Sequence, residues 1–144
     1  MYKLLLVIVL LSSTIFANKI VWEKDFHSGV VKAKKLNKPI LFVVSNHSCR
    51  YCVKLEKTTF SDKRVIKTLN KDFVSIISYS DENDYTPREL LRSATPTSWF
   101  LKADGSPMFQ ALIGTVGTEK FLKYLSVVKK EFKKVNNKKR AKKQ

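Results

Sequence analysis

Cys49 and Cys52 are the only two cysteines of this 144-residue chain, and Arg50 and Tyr51 are all that separates them. Two thiols at this spacing can exchange with a disulfide. They sit where two kinds of sequence meet. The apolar run Pro39-Ile40-Leu41-Phe42-Val43-Val44 leads into Ser45-Asn46-His47-Ser48, and the helix-like Val53-Lys54-Leu55-Glu56-Lys57 follows the second cysteine. A strand feeding a helix puts Cys49 at the helix N-terminus, where unpaired backbone N–H groups and the helix dipole favour a thiolate. Cys52 falls one turn later on the same face, close enough to close a Cys49–Cys52 disulfide. Cys49 is thus the candidate nucleophile on a partner's disulfide, and Cys52 the thiol that resolves the mixed disulfide. A bridge over so short a loop restrains little unfolded-chain entropy, which argues for redox use over a structural staple.

Three neighbours bear on that chemistry. His47 is either an ordinary loop residue or, as imidazolium, a stabiliser of the Cys49 thiolate. Arg50 acts in the same direction, subject to screening by solvent and salt. Tyr51 either shapes the surface that meets a substrate or packs the start of the helix.

The elements that must hold this junction can be read outward from it. Trp22 to Asn37 predicts an amphipathic helix, with Phe26, Val30, Ala33 and Leu36 at helical spacing, Gly29 as its weak point and Lys38-Pro39 as its end. Ile40 to Ser45 predicts a central strand covered on both faces. Phe60-Ser61-Asp62 interrupts the motif's helix, and Ser61 or Asp62 caps the next one, through Val65, Ile66 and Leu69. Phe73 to Tyr79 is a β-branched-rich strand. The acidic stretch Ser80 to Tyr85 reads as a surface loop, and Thr86-Pro87-Arg88-Glu89 as the capped start of a short helix ending near Ser93. Thr95-Pro96-Thr97 leads into a strand from Ser98 to Lys102. Asp104-Gly105 turns the chain into a return strand from Met108 to Ile113, and Thr118 to Val128 closes it as a helix with Phe121, Leu122, Leu125 and Val128 inward.

This ordered set resembles the thioredoxin-like superfamily. The apolar strand running into Cys49-Arg50-Tyr51-Cys52, the later Thr95-Pro96, and the final order of strand, Asp-Gly turn, strand, glycine and helix carry the resemblance. Lys38-Pro39-Ile40, Thr59-Phe60-Ser61-Asp62 with Val65, and Asp72-Phe73-Val74 are similar to the secreted bacterial branch. The resemblance covers roughly Trp22 to Val128. It implies an α/β, thioredoxin-like fold: a central mixed β-sheet flanked by helices. It also implies a cis Thr95-Pro96 bond beside the cysteines, with Thr95 and Pro96 docking an extended peptide. Threonine before that proline resembles isomerases and reductases more than strong oxidants. Two positions depart from the family pattern. Ser48 stands where many members have Trp, and Val43 where thioredoxin itself has a buried Asp.

The first residues set the expected compartment. Lys3, the unbroken hydrocarbon from Leu4 to Leu11, and Ser12-Ser13-Thr14 leading to Ala17 form a signal-peptide pattern with cleavage after Ala17. The apolar run falls short of the ~18–20 residues that span a bilayer. The expectation is a signal peptide over 1–17, a thioredoxin-like domain over 18–128 and a periplasmic protein. Export to an oxidising compartment permits a disulfide.

Charge is unevenly placed. Residues 129–144 hold nine Lys/Arg against Glu131 alone, half of the chain's net +16. This segment is expected to be a disordered basic tail or a frayed helix end. It is either simply solvated or makes weak contact with anionic lipid or an acidic partner. No nucleic-acid motif accompanies the charge.

The leading expectation is an exported thiol–disulfide oxidoreductase. It needs no cofactor, acts on protein thiols and disulfides, and is kept reduced by a membrane electron-transfer partner. Two alternatives stand beside it. His47, Cys49 and Cys52 could ligate Cu(I) or Zn(II), although a structural zinc site wants a fourth ligand. The fold could also serve as a chaperone that grips peptides with little redox use of its thiols.

Overall fold

A computed structural model describes residues 18–142, so the signal-type segment 1–17 lies outside the described residues. Five strands form one mixed sheet in the order β1 (Trp22–Glu23), β3 (Val74–Tyr79), β2 (Ile40–Ser45), β4 (Thr97–Leu101), β5 (Leu112–Ile113). The strand that leads to the cysteines is central. β2 pairs in parallel with β3, from Ile40↔Val74 to Ser45↔Tyr79, and antiparallel with β4. All six of its residues are buried. This is why its sequence is continuously apolar rather than alternating.

Each face of the sheet buries its own core. Leu41 and Val43 point to one face with Leu55, Val65, Leu69, Phe100, Phe121 and Leu125. These come from α2 (Arg50–Lys57), α3 (Lys63–Asp72) and α4 (Thr118–Ala141) as well as the sheet. Ile40, Phe42 and Val44 point to the other, against Ala33 of α1 (Phe26–Leu36), Ile76, Trp99 and Leu90. The alternation is the period-two geometry of a strand.

The structure departs from the sequence expectations at four elements. The helix expected from Trp22 starts only at Phe26, because Asp25 and Ser28 form a capping box there and Trp22–Glu23 pair with Ser75–Ile76 as β1. Gly29, read as a weak point, is a packing requirement: a Cβ there would lie 2.3 Å from Ile76 Cδ1. The helix expected from Thr86 is only a 3-10 turn, Arg88–Leu90. Thr86 does not cap it, since its hydroxyl is engaged with that of Ser78 at 2.7 Å. The return strand shrinks to Leu112–Ile113 plus a single bridge between Leu101 and Pro107.

The fourth departure is the basic tail. The closing helix does not stop at Val128 but runs to Ala141. Phe132 is buried, Lys129 is ion-paired with Asp72, and Asn136 Nδ2 donates to Asn37 Oδ1 at 3.1 Å. Composition favoured disorder; tertiary contacts on one side of the helix override it.

Candidate active site

The motif is built as its sequence implies. Cys49 is the N-cap of α2 in extended backbone (φ −86°, ψ 113°), and the Cys52 N–H donates to its sulfur at 3.4 Å. Cys52 is fully buried, Cys49 half-buried, and both are free thiols. The Thr95–Pro96 bond is cis, and Cys49 Sγ donates to the Thr95 carbonyl at 3.4 Å. The structure thus brings Cys49, Cys52, Thr95 and Pro96 together across 46 residues of sequence between Cys49 and Thr95.

Electrostatics distinguishes the two thiols. Burial pushes the Cys49 thiol up, but hydrogen bonds from Cys52, Thr95 and the backbone at Cys52 and Tyr51 outweigh it and leave its pKa below the ordinary value. Burial pushes the Cys52 thiol up, reinforced by Cys49, and its pKa ends above the ordinary value despite contacts with Thr95 and Ser45. The half-buried thiol is the more acidic one and the fully buried thiol the less.

His47 and Arg50 are directed elsewhere. His47 Nδ1 lies 3.0 Å from Asp81 Oδ2, its ring stacks on Tyr79 at 3.9 Å, and its N–H donates to Asp81 Oδ1 at 3.2 Å. Arg50 Nη2 donates to Tyr51 Oη at 2.9 Å, and its guanidinium lies 4.8 Å from the centre of the Tyr51 ring. Neither is among the principal groups that shift Cys49. Tyr51 is half exposed beside the motif, and its carbonyl accepts from Thr115 Oγ1 at 2.7 Å. Among the described residues no three His, Cys, Asp or Glu side chains converge to hold a metal, and the carboxylates of Asp81 and Glu82 flank His47 Nδ1.

Sequence reading missed the support behind Cys52. Ser45 ends β2 on the same face as Val43, and its hydroxyl donates to Glu56 Oε1 at 2.9 Å. Tyr79 Oη donates to the same carboxylate at 3.5 Å. Burial, with the Glu56 charge behind it, pushes the Tyr79 phenol up to about 12, so it keeps its proton. A carboxylate therefore lies near the buried thiol although β2 itself carries Val43. The available signal was Glu56 lying four residues after Cys52, on the same helix face. The loop after β3 was also missed. Ser80 Oγ donates to the Ser45 carbonyl at 3.1 Å, and Asp81 holds His47, so this loop fastens the approach to the motif.

The fold and this dithiol define a thioredoxin-like protein. The chain belongs to the thioredoxin-like domain family, whose model matches residues 26–129. Its structure is similar to a thioredoxin from Thermus thermophilus, with a TM-score of 0.64 at 24% identity over 76% of this chain and 87% of that one. It is also similar to the oxidised C-terminal domain of DsbD from Neisseria meningitidis, with a TM-score of 0.56 at 20% identity over 69% and 89%. At these identities the likeness speaks for the fold. In sequence, 101 residues are 27% identical to spermatogenesis-associated protein 20 of Rattus norvegicus, covering 67% of this chain and 13% of that protein. Anterior gradient protein 2 of Xenopus laevis is 30% identical over 75 residues, 46% of this chain and 40% of that protein. The chain thus spans less than half the length of these curated relatives.

Proposed function

We propose that this protein is an exported thiol–disulfide oxidoreductase acting on protein clients, nearer to a reductase or isomerase than to a strong oxidant. The observation that carries the reading is Cys49: a half-buried thiol of lowered pKa at a helix N-terminus, against the Thr95 carbonyl and in front of a fully buried partner thiol. The Cys49 thiolate attacks one sulfur of a client disulfide, and the other client sulfur leaves as thiolate. Cys52 then loses its proton and attacks Cys49 Sγ. The second client sulfur leaves, the client is reduced by two electrons, and Cys49–Cys52 is oxidised. Return to the dithiol needs a reductant, which in this reading is a membrane-bound thiol protein. Client docking falls to Thr95 and Pro96, with exposed Tyr51 and Ile113 as apolar contacts nearby, since Ile113 pairs with Thr97.

Trapping tests the reading. In Cys52→Ser the first attack proceeds and resolution fails, so mixed disulfides with client proteins accumulate on non-reducing gels. Cys49→Ser traps almost none. No trapped species from Cys52→Ser in the oxidising compartment of the native host would overturn the proposal. Intact-mass analysis of protein from that host checks export, with a mature N-terminus at Asn18 expected.

A further inference from the structure

The basic segment that ends the chain forms one pole of the molecule. A groove of about 550 Å³ runs between the last turns of α4, the end of α3 and the turn after α1. Lys71, Lys129, Lys133 and Arg140 line it, with Phe132 beneath. The one acid lining it, Asp72, is engaged by Lys129. Past Asn136, which is tied to Asn37, the helix continues to Ala141 with exposed Asn137, Lys138 and Arg140. Lys130 and Lys134 are also exposed, so cations surround this end rather than forming one stripe.

Two features decide what such a surface fits. First, it is poor in apolar anchors: among the described residues Leu36 is the one exposed large hydrophobic that lines the groove. Phe132 is buried, and no large hydrophobic residue is exposed beyond Val127 among the described residues. Protein interfaces are built around buried aromatic or aliphatic anchors and are depleted of lysine at their centre. This end offers cations on its open sides around that single leucine, which suits a laterally continuous anionic plane. Second, it lies opposite the thiols. The groove borders Lys38-Pro39 at the start of β2, whereas Cys49 follows its far end. Six strand residues at ~3.3 Å each separate the two by about 20 Å.

We infer that the α4 end is a peripheral docking surface for the headgroups of an anionic phospholipid bilayer, seating the domain with Cys49 and Cys52 facing away from the lipid. The contact is electrostatic. Among the described residues no helix is long and apolar enough to cross a membrane. The choice of lipid over nucleic acid as the polyanion rests on the export reading given above; the binding itself is tested apart from export and from thiol chemistry.

The probe is a set of phosphatidylcholine vesicles with and without about one-third phosphatidylglycerol, mixed with the mature full-length protein and co-sedimented. The protein is expected to pellet with the anionic vesicles at low salt, to be released as ionic strength rises, and to ignore the neutral ones. Each exposed cation is worth about fivefold in affinity, so Lys133→Gln/Lys138→Gln/Arg140→Gln should weaken binding about a hundredfold. Lys133→Arg/Lys138→Arg keeps the charge and should keep the binding. Alkylation of Cys49 by a water-soluble reagent should proceed at the same rate on vesicles as off them. Absence of binding at low salt, equal binding to neutral vesicles, tighter binding to duplex DNA than to anionic vesicles, or protection of Cys49 on the membrane would each overturn the inference.

Discussion

Ser45 and Glu56 are joined by a 2.9 Å hydrogen bond from the hydroxyl to the carboxylate, at the back of the buried thiol of Cys52. Cys52 has a raised pKa and must lose its proton before it can resolve a mixed disulfide. Glu56 is placed to take that proton through Ser45. It also lines a cleft of about 290 Å³ with Trp22 and Phe60, which gives the proton a route to water away from the client side. Glu56→Gln should therefore lengthen the lifetime of the mixed disulfide by roughly tenfold or more, with Ser45→Ala intermediate. The initial attack by Cys49 should hardly change. Rapid-quench kinetics with a model disulfide separates the two steps. Equal slowing of both would mean that Glu56 serves only to hold the site together.

The two thiols should titrate on opposite sides of the ordinary value of about 8.5. Alkylation rate rises with pH as thiolate forms. For Cys49 in Cys52→Ser the midpoint should fall below that value, with the serine hydroxyl replacing the lost thiol as donor. For Cys52 in Cys49→Ser it should lie above it, as burial dictates. Thr95→Val removes a donor to the Cys49 thiolate and should move its midpoint upward. His47→Ala and Arg50→Ala should move it less, because these side chains are spent on Asp81 and Tyr51. A larger shift from His47→Ala than from Thr95→Val would restore the histidine to the role that its place in the sequence suggested.

That contrast shows where sequence was informative. β2, the Cys49 cap and the order of elements were legible because a buried central strand, a helix start and an Asp-Gly turn each leave a local pattern. Partners from distant segments leave none. Nothing near Asp81 announces that it meets His47, 34 residues away, or that Ser78 competes for the Thr86 hydroxyl and leaves a 3-10 turn where a capped helix was expected. Glu56 was legible in principle, from its spacing to Cys52, but its tie to Ser45 spans 11 residues and leaves no local pattern. The helix beyond Val128 escaped because lysine-rich composition conceals one well-placed Phe132.

Gly29 supplies a test in which propensity and packing predict opposite signs. Glycine inside a helix costs about 0.5–1 kcal/mol relative to alanine, so propensity alone expects Gly29→Ala to stabilise. The new Cβ would instead lie 2.3 and 2.5 Å from two carbons of Ile76, a fully buried side chain. We expect net destabilisation of about 1–3 kcal/mol, the usual cost of overpacking a core. Urea unfolding measures it, and a midpoint at or above that of the wild type would mean the sheet and α1 separate more easily than their packing suggests.

Phe132 decides whether the last helix is part of the domain. Its side chain is buried, and Lys129, one turn earlier, is ion-paired with Asp72 at the end of α3. Phe132→Ala should cost about 3 kcal/mol, at the low end for a truncated core phenylalanine because the helix is open on its far side. For a domain of this size that is a fall of roughly 10 °C in melting temperature. Deleting 137–144, beyond the last tie to Asn37, should leave the melting temperature within about a degree or two, as expected for exposed polar residues away from the core. Calorimetry of the two variants beside the wild type makes the comparison. If Phe132→Ala melts with the wild type, the lysine-rich segment is a solvated tail, as its composition first suggested. If the short deletion destabilises as much as the substitution, the exposed last turn contributes packing that its contacts do not account for.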